Sequence, residues 1–403
     1  MLNLKRHDVV GQYNLPTKVM WCRVCTMSNQ RPRITFNEES VCVACTWKMR
    51  QNNVVDWVAR ERELTALCDK HRKNNGEFDV IVPCSGGKDS GFAVGILKNK
   101  YGMTPLTVTW APHIYTDIGR KNLTELIDRG YHNIMGTADG DVHRKLTRVA
   151  FIHGGHPFLP FIYGQINFPL RQALNYKIPL VFYGEGGGEF GDMKNADKPN
   201  RVISDIDTQT FGGFPLDFWS GHGINGKDLV PYRQPDGKQL RELGLDVHYL
   251  GYYFNWDPQE NFYYAVENTG FTPNPDRTEG TYSKYASLDD KLDGFHYYMR
   301  YIKFGMGRAV ADSAHEVRVG KITRREGVAL VKKYDGEFPK KYFKEFLEYV
   351  SLTESEFNEV VDSWRSDHLW KCEGGEWKLR YPIWNDLLSG DDQFDDKIAA
   401  KPI

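Results

Sequence analysis

A glycine turn between an apolar run and a helix is the feature that most constrains this chain of 403 residues. The run Phe78–Cys84 is rich in β-branched residues and has no helical period, which predicts a short buried strand. The turn Ser85–Gly91 follows it directly and leads into a predicted helix. The start of a helix presents unpaired backbone N–H groups and the positive end of the helix dipole to a ligand. This arrangement predicts an anion-binding site.

The residue types in the turn suit a phosphate that is accompanied by a magnesium ion. Its adjacent glycines let the backbone approach a phosphate closely, and its serines add hydroxyl donors. Lys88 adds a positive charge, and the carboxylate of Asp89 can hold Mg²⁺. The Walker P-loop is excluded because it requires Gly-x-x-x-x-Gly-Lys-[Ser/Thr], whereas an ordinary turn between strand and helix is the alternative. The predicted phosphate-binding residues are Ser85, Gly86, Gly87, Lys88, Asp89 and Ser90.

The segment Ser85–Ser90, Ser-Gly-Gly-Lys-Asp-Ser, resembles the PP-loop of the ATP pyrophosphatase superfamily. The resemblance implies that this loop grips the β,γ-pyrophosphate of ATP while the α-phosphate is attacked. The products expected from such a reaction are an adenylated substrate and pyrophosphate. The resemblance also implies that Lys88 and Asp89 carry the catalysis, Lys88 by balancing the phosphate charge and Asp89 by holding magnesium.

Strand and helix patterns alternate from residue 78 to residue 184. The predicted strands are Val80–Cys84, Pro105–Trp110, His132–Met135 and Pro179–Gly184. This alternation predicts an α/β fold with a doubly wound parallel sheet, and the PP-loop resemblance implies its HUP type. Ligands of such sheets bind at the carboxyl ends of the strands. We therefore expect Thr109 and Trp110, which end the second strand, to lie on the same edge as the glycine turn.

The loop after the fourth predicted strand, Gly-Glu-Gly-Gly-Gly-Glu from Gly184 to Glu189, also falls on that edge. Its glycines allow close approach to a pyrophosphate and its carboxylates suit magnesium, although a surface loop is the alternative. It resembles the Gly-Glu-Gly-x-Asp-Glu loop of asparagine synthetase, another PP-loop enzyme. Gly188 replaces the aspartate of that loop, so the second magnesium carboxylate stays open among Glu185, Glu189 and Asp192. The predicted pyrophosphate ligands here are Gly184, Glu185 and Gly186, and the predicted magnesium ligands are Asp89, Glu185 and Glu189.

Four of the seven cysteines form two Cys-x-x-Cys pairs between residues 20 and 50. Two such pairs separated by a short polar stretch have the spacing of a structural Cys₄ zinc site. Disulfides are disfavoured in a reducing compartment, and a redox pair would not need duplication. A structural role is expected because four thiolates leave no open position for chemistry. The predicted zinc ligands are Cys22, Cys25, Cys42 and Cys45.

The patterns divide the chain into a zinc module, a linker helix, a PP-loop ATP-binding α/β domain and a mostly helical C-terminal region. The predicted bounds are 1–50, 51–77, 78–240 and 241–403. Residues 193–240, rich in Asp, Gly and Pro, are expected to form an insertion or lid over the site. The aromatic stretch Tyr249–Tyr264 can stack on a base or sugar, but packing is favoured. Lys303 and Arg308 flank two glycines and are candidate phosphate contacts, unless the glycines mark only a helix break.

The order of these motifs resembles the bacterial N-acetyl sugar amidotransferases of the WbpG and PseA type. The resemblance extends from the two Cys-x-x-Cys pairs to the stretches Tyr301–Ala309 and Lys321–Gly336. It implies an enzyme of lipopolysaccharide biosynthesis that acts on an O-antigen or pseudaminic acid precursor. It implies conversion of an acetamido group into an acetamidino group through an imidoyl adenylate and ammonia, with release of AMP and pyrophosphate. It further implies that Thr109 and Trp110 border the adenosine.

The same resemblance implies that ammonia comes from a partner protein. The chain has no Gly-x-Cys-x-Gly elbow, and neither Cys68 nor Cys372 lies in a nucleophile context. We therefore expect a separate glutaminase of the histidine-biosynthesis type with its barrel-type, ammonia-channelling partner. A net charge of −1 and the lack of a basic tract disfavour nucleic acid. No apolar run has membrane-spanning length and the N-terminus lacks a signal-peptide core, so a cytoplasmic location is expected.

Two other functions fit part of the pattern. Enzymes that thiolate tRNA also combine Cys-x-x-Cys modules with PP-loops, but they often need catalytic or cluster cysteines near the active site. Cys84 lies beside the turn, and as the last residue of a predicted strand it is expected to be buried packing. A non-catalytic zinc-binding scaffold would require the turn to be idle. The cofactors expected for the favoured function are ATP, Mg²⁺ and structural Zn²⁺.

Overall fold

The computed structural model describes residues 2, 4–184 and 209–385 of the chain. The strands in chain order are β1 (Val80–Pro83), β2 (Pro105–Trp110), β3 (His132–Gly136), β4 (Leu180–Tyr183), β5 (Thr210–Phe211), β6 (Phe214–Pro215), β7 (Asp246–Tyr249), β8 (Trp370–Glu373) and β9 (Glu376–Leu379). The helices in chain order are α1 (Val9–Tyr13), α2 (Val43–Val54), α3 (Trp57–His71), α4 (Lys88–Asn99), α5 (Asp117–Asp128), α6 (Gly140–Gly154), α7 (Leu159–Tyr176), α8 (Leu216–Gly221), α9 (Gly237–Glu242), α10 (Leu250–Tyr253), α11 (Pro258–Thr269), α12 (Asp293–Phe304), α13 (Arg308–Arg318), α14 (Arg324–Tyr334), α15 (Phe343–Val350) and α16 (Glu354–Ser363). Within these ranges, no helix combines the length and the apolar character needed to cross a bilayer.

Five strands form one parallel sheet in the order β3-β2-β1-β4-β7. In its register, Val80 lies opposite Pro105 on one side and Leu180 on the other. The residues of β1 alternate between two buried clusters, with Val80 and Val82 in one and Ile81 in the other. Both faces of the sheet are therefore covered, which confirms the predicted α/β fold with a parallel sheet.

The order of the strands reverses at β1, because its neighbours are β2 on one side and β4 on the other. The segments that follow β1 and β4 both start at the carboxyl edge of the sheet. They lead to opposite sides of this reversal point, where such sheets have a crevice. The glycine turn follows β1 and Gly184 follows β4. The two stretches that the sequence marks for a ligand therefore begin at this crevice.

The sheet extends further along the chain than the sequence predicts. Its strand β7 begins at residue 246, beyond the predicted end of the nucleotide-binding domain at residue 240. This strand lies at one edge of the sheet, and its polar residues Asp246 and His248 interrupt the kind of apolar run that marks the central strands. His248 is nevertheless buried, and its Nδ1 lies 2.7 Å from the hydroxyl of Tyr253. Its side chain is therefore accommodated in the core by a hydrogen bond rather than by apolar character.

The predicted single linker helix over residues 51–77 is instead two helices. The first, α2, ends at Val54, and the second, α3, begins at Trp57. Asp56 lies between them, and its carboxylate accepts a hydrogen bond from the backbone N–H of Ala59 at 3.0 Å. An aspartate in this position caps a helix N-terminus, so the sequence starts a new helix here.

The helix after the glycine turn, α4, packs closely against α11. A Cβ atom added at Gly91 would lie 2.8 Å from Oγ1 of Thr269, and one added at Gly95 would lie 2.6 Å from the ring of Tyr264. The two glycines therefore permit an approach that larger residues would prevent. This contact fixes the position of the helix whose first turn faces the crevice.

The N-terminal cysteine module packs against helices of the C-terminal third. Oγ1 of Thr26 lies 2.7 Å from Oγ of Ser313 in α13. Nε of Arg324 in α14 donates a hydrogen bond to the backbone carbonyl of Cys22 at 3.0 Å. The module is therefore joined to elements that are 287 and 302 positions away in the chain.

Candidate active site

A cavity of about 490 Å³ opens at the carboxyl edge of the sheet, and residues 285–308 close its opposite side. A volume of this size is typical of sites for small molecules. On the sheet side it is lined by the glycine turn, by Gly184 after β4 and by Tyr249 at the end of β7. All residues predicted from the turn line the cavity, namely Ser85, Gly86, Gly87, Lys88, Asp89 and Ser90.

Gly86 determines the path of the turn. Its φ of +83° lies in the left-handed region, and an added Cβ would lie 2.6 Å from the backbone nitrogen of Leu123 in α5. Only glycine meets both conditions. Gly87 then precedes α4 with extended backbone, and Oγ of Ser90 donates a hydrogen bond to its carbonyl at 3.1 Å. The first N–H groups of α4, which have no partner within the helix, are thereby brought to the cavity.

Lys88 and Asp89 form an ion pair at the start of α4. The other carboxylate oxygen of Asp89, Oδ1, accepts a hydrogen bond from Nδ2 of Asn261 in α11 at 3.0 Å. Nζ of Lys88 lies 5.7 Å from the ring centroid of Tyr285. Asp89 is thus oriented by Lys88 on one side and by Asn261 on the other. A bound phosphate would compete with Asp89 for Lys88, and a bound cation would compete with Lys88 for Asp89.

The wall opposite the turn is attached to the segment that follows β2. The backbone N–H of Thr116 donates a hydrogen bond to the carbonyl of Asp289 at 3.2 Å. Nδ1 of His113 lies 2.7 Å from the carboxylate of Asp290, and both side chains are fully buried. These contacts fix the loop before α12 against the edge of the sheet.

Two half-buried carboxyl groups of this wall, Asp289 and Asp293, face the cavity. Burial raises the pKa of Asp289 to about 6 and the pKa of Asp293 to about 7. A hydrogen bond from Ser85 to Asp289 and the charge of Arg308 near Asp293 favour the ionised forms, but they do not offset burial. Burial also holds the pKa of His296 well below its ordinary value, so this imidazole is neutral. Carboxyl groups that titrate near neutral pH are suited to proton transfer.

Arg308 places a fixed positive charge on the same wall. Its Nε lies 2.9 Å from Oδ1 of Asp312, and its Nη1 donates hydrogen bonds to the hydroxyl of Tyr297 and, at 3.3 Å, to Oγ of Ser287. Burial opposes the charge, but Asp312, Tyr297 and Asp293 together hold the pKa of Arg308 above its ordinary value. The guanidinium is therefore charged and held in one orientation at the cavity.

Residues 279–382 match the family model described as LPS biosynthesis protein WbpG-like, C-terminal domain. These residues, about a quarter of the chain, are therefore similar to the C-terminal domain of WbpG-like proteins. This WbpG-like domain contains Asp289, Asp293 and Arg308, so it provides the cavity wall that faces the glycine turn. A further similarity covers 90 residues, 22% of this chain, which are 27% identical to the uncharacterized protein MJ1599 of Methanocaldococcus jannaschii. The matched stretch spans only 32% of that protein's length.

Two residues predicted to border adenosine do not line the cavity. Thr109 is buried, donates a hydrogen bond to the carbonyl of Cys84, and accepts one from Nδ2 of Asn133 at 2.8 Å. Trp110 packs into the core beside Gly164, where an added Cβ would lie 2.2 Å from the indole. The two side chains do not face the cavity because the side chains of a central strand point into the two covered faces of the sheet.

Lys303 also does not line the cavity and instead lies buried behind it. Its Nζ donates hydrogen bonds to the carbonyl of Gly154 at 3.1 Å and to the hydroxyl of Tyr13 at 3.2 Å. The same atom lies 5.3 Å from the ring centroid of Trp364. Lys303 is two turns of α12, about 10 Å, beyond His296, which does line the cavity. The contacts of Lys303 that the structure shows are thus made within the core, and its contact with phosphate stays a prediction.

The burial of Lys303 predicts a specific dependence of stability on pH. Burial lowers the pKa of this ammonium to about 7. The unfolded chain, with a pKa near 10.4, therefore binds more protons between pH 7 and pH 10, so the free energy of unfolding rises with pH in that window. We expect a gain of up to about 1.4 kcal/mol per pH unit relative to Lys303→Met. Urea unfolding of the wild type and of Lys303→Met at several pH values in this range measures the gain. If the free energies of unfolding of the two proteins change with pH in parallel, the prediction is wrong.

The segment after β4 is described only in part. Gly184 lines the cavity, and a Cβ added there would lie 3.1 Å from the ring of Trp256. The predicted ligands that lie outside the described residues are Glu185, Gly186, Glu189 and Asp192. The described part of the predicted lid, residues 209–240, does not line the cavity, and its Trp219 is fully buried in the core.

The four cysteines predicted as zinc ligands converge. Their sulfur atoms lie within 4.8 Å of one another, and all four residues are buried. The Sγ atoms are 3.9 Å apart for Cys22 and Cys45 and 3.7 Å apart for Cys25 and Cys42. A tetrahedron with Zn–S bonds of about 2.3 Å has edges of about 3.8 Å, so the cluster is compatible with zinc. Nη1 of Arg318 lies 3.8 Å from Sγ of Cys25 and adds positive charge beside the thiolates.

Most of the WbpG-like wall carries no motif in the sequence. The cavity residues without such a signal include Tyr285, Asp289, Asp293 and Tyr297. Asp289 lies in the loop before α12 and Asp293 is the first residue of that helix, so no helical period marks the two aspartates as a pair. Nothing local in the sequence shows that these residues face the glycine turn, since this arrangement depends on tertiary structure.

Proposed function

We propose that the protein is an ATP-dependent sugar amidotransferase that converts an acetamido group into an acetamidino group. The match to a WbpG-like domain suggests a role in lipopolysaccharide or sugar biosynthesis. The observation that carries the proposal is that this domain and the Ser-Gly-Gly-Lys-Asp-Ser turn face each other across one cavity. The turn supports chemistry on ATP, and the domain supports a sugar as the acceptor.

The proposed reaction has to activate an amide, which is a poor electrophile with a poor leaving group. The amide oxygen attacks the α-phosphate of ATP, the bond to pyrophosphate breaks, and an imidoyl adenylate forms. Ammonia then attacks the imidoyl carbon, the carbon–oxygen bond to AMP breaks, and one proton is released. The net change replaces C=O by C=NH, and no covalent bond to the protein is needed.

The turn is suited to the first step. The N–H groups at the start of α4 and the serine hydroxyls of the turn would hold the β,γ-pyrophosphate. Lys88 would leave Asp89 and balance the charge of the departing pyrophosphate. Magnesium, when bound, neutralises phosphate charge, and Asp89 would hold it together with Glu185 or Glu189. The protein would thus act by positioning and by neutralising charge.

The WbpG-like wall is suited to the acceptor and to the second step. Arg308 offers a fixed positive charge to an anionic group of a nucleotide-linked or acidic sugar. Asp293 is the carboxyl group that would take the proton released when ammonia attacks. Arg308 and Asp293 both lie across the cavity from the glycine turn. An acceptor sugar bound between the turn and this wall would therefore be within reach of both residues.

Replacing Asp293 by asparagine is expected to lower amidine formation by about 100-fold, because proton transfer to a positioned base contributes on this order. Burial raises the pKa of Asp293 to about 7, so in the wild type the ionised base is lost as the pH falls through 7. The rate at fixed free ammonia should therefore fall below pH 7 in the wild type and lose this limb in Asp293→Asn. An unchanged pH profile in a folded variant would assign the proton to another group.

The described cysteines are poorly suited to act as a glutaminase nucleophile or as a sulfur carrier. Cys84 is buried beside the turn, and burial raises its pKa. Burial likewise raises the pKa of Cys68 to about 12, and the exposed Cys372 does not line the cavity. We therefore favour ammonia from a separate cytoplasmic glutaminase with a barrel-type partner over thiolation of tRNA.

The experiment that tests the function mixes the protein with ATP, magnesium, an ammonium salt and candidate acetamido sugars. We expect AMP, pyrophosphate and a sugar in which NH has replaced O. AMP release with tRNA and a sulfur donor, but not with any sugar, would favour the thiolation alternative. ADP and phosphate as the nucleotide products would contradict adenylation altogether.

A further inference from the structure

A second, smaller cavity of about 90 Å³ lies directly behind the WbpG-like wall of the candidate active site. Ser287 and Leu288 line both cavities, so the wall between them is one chain segment thick. The next two residues divide between the cavities, with Asp289 lining the large one and Asp290 the small one. The small cavity is therefore separated from the candidate reaction site by a few side chains.

The size of the small cavity limits what it can hold. A space of this volume accommodates a few molecules the size of water, but not a nucleotide or a sugar. Its apolar lining includes Ile118, Leu288, Phe295 and Pro339. A small molecule with few hydrogen-bonding groups suits such a space better than a large polar one.

Three of the six charged residues that line the small cavity, Arg277, Asp290 and Lys291, make close contacts with oppositely charged or titratable groups. Arg277 forms a two-pronged ion pair with Glu337 at 2.6 and 2.9 Å. Lys291 lies 3.3 Å from a carboxylate oxygen of Glu345. The carboxylate of Asp290 is held by His113 at 2.7 Å. These three contacts reduce the charge that the lining offers to an ion, and the apolar side chains beside them favour passage of a small neutral molecule.

The dividing segment has an unusual backbone at Ser287. Its φ of +57° lies in the left-handed region, which is rare for a residue with a side chain. Arg308 holds its hydroxyl from the side of the large cavity, and Thr116 donates a hydrogen bond to the carbonyl of Leu288. Hydrogen bonds therefore hold the dividing segment at Ser287 and at Leu288. The aliphatic side chain of Leu288 lies at the boundary of the two cavities.

We infer that the small cavity is the route by which ammonia reaches the reacting carbon. This inference rests on the proposed function, in which ATP and the acceptor fill the large cavity and leave no space for the nitrogen nucleophile to pass. Ammonia matches water in size and is neutral, as the cavity requires. On arrival its lone pair forms the bond to the imidoyl carbon, the bond to AMP breaks, and Asp293 takes the released proton.

The route is tested by narrowing it at Gly294, which lines only the small cavity. A Cβ added there would lie 2.9 Å from Cβ of Pro339 on the opposite side. We expect Gly294→Val to raise the ammonium chloride concentration for half-maximal amidine formation by about tenfold, with the KM for ATP unchanged. The matched control is Gly140→Val in the first turn of α6, where an added Cβ meets only the end of Arg144 at 3.5 Å.

Widening the route provides a second test that does not depend on the folding of Gly294→Val. Leu288→Ala removes the side chain between the cavities, so methylamine should compete with ammonia about tenfold better than in the wild type. Unchanged ammonium dependence in a folded Gly294→Val, together with unchanged amine selectivity in Leu288→Ala, would overturn the route. A wild type that forms no amidine at any ammonium concentration would instead refute the proposed function.

Discussion

Alanine at Lys88 or at Asp89 is expected to abolish ATP-dependent release of AMP while leaving the fold intact. Each residue lines the cavity at the start of α4, and each is the other's ion-pair partner. The loss should reach about 10²–10³-fold or more, because removing one preorganised charge from a transition state costs this much. Asp89→Ala should also weaken the dependence on magnesium, whereas Lys88→Ala should not. Pyrophosphate release, measured over a range of magnesium concentrations, distinguishes the two effects.

The matched control for these variants is Lys100→Ala at the other end of the same helix. Lys100 forms a surface ion pair with Glu61 at 2.7 Å and does not line the cavity, so its loss should leave the rate within about twofold of the wild type. Thermal unfolding of all three variants checks that α4 is retained. Normal turnover by both Lys88→Ala and Asp89→Ala would contradict the assignment of the turn to ATP.

Serine at Cys22 is expected to remove bound zinc and to destabilise the whole chain. The four sulfur atoms are spaced as a tetrahedral site requires, and the module packs against α13 and α14 through Thr26 and Arg324. A structural zinc ion contributes to folding directly, so losing several kcal/mol should lower the unfolding temperature by about 10 °C or more. Metal analysis of the purified protein and calorimetry measure both effects.

Cys372→Ser is the control for this experiment because Cys372 is exposed and lies far from the cluster in the chain. It should keep one zinc ion per chain and the unfolding temperature of the wild type. A Cys22→Ser protein with wild-type stability and metal content would contradict the zinc assignment. Iron in place of zinc in the wild type would favour the thiolation alternative.

The parallel sheet could be predicted because three of its first four strands have strong local signals. The runs around Val80, Pro105 and Leu180 are apolar and bounded by turns, and this pattern is governed by burial on both faces. The fifth strand has Asp246 and His248 in its four residues, and its burial depends on a hydrogen-bond partner that the sequence does not reveal. Local periodicity likewise could not predict the break at Asp56, where a single capping carboxylate ends one helix and starts another.

The candidate site could be predicted where it depends on local backbone geometry. The glycine turn needs Gly86 for its positive φ, and the cysteine pairs need only their spacing, so both were correctly located in the chain. The side chains of Thr109 and Lys303 do not line the cavity, because their directions depend on which way a strand or helix faces. Asp293 was missed because it reaches the cavity only through the packing of the C-terminal third against the sheet.

The most direct test of the central claim follows the oxygen atom of the acetamido group. The acceptor sugar is prepared with heavy oxygen in that carbonyl and is incubated with the protein, ATP, magnesium and ammonium chloride. If the amide oxygen attacks the α-phosphate, mass spectrometry will find the heavy oxygen in the phosphate of AMP and none in pyrophosphate. Heavy oxygen in pyrophosphate or in water, with unlabelled AMP, would contradict adenylation of the sugar.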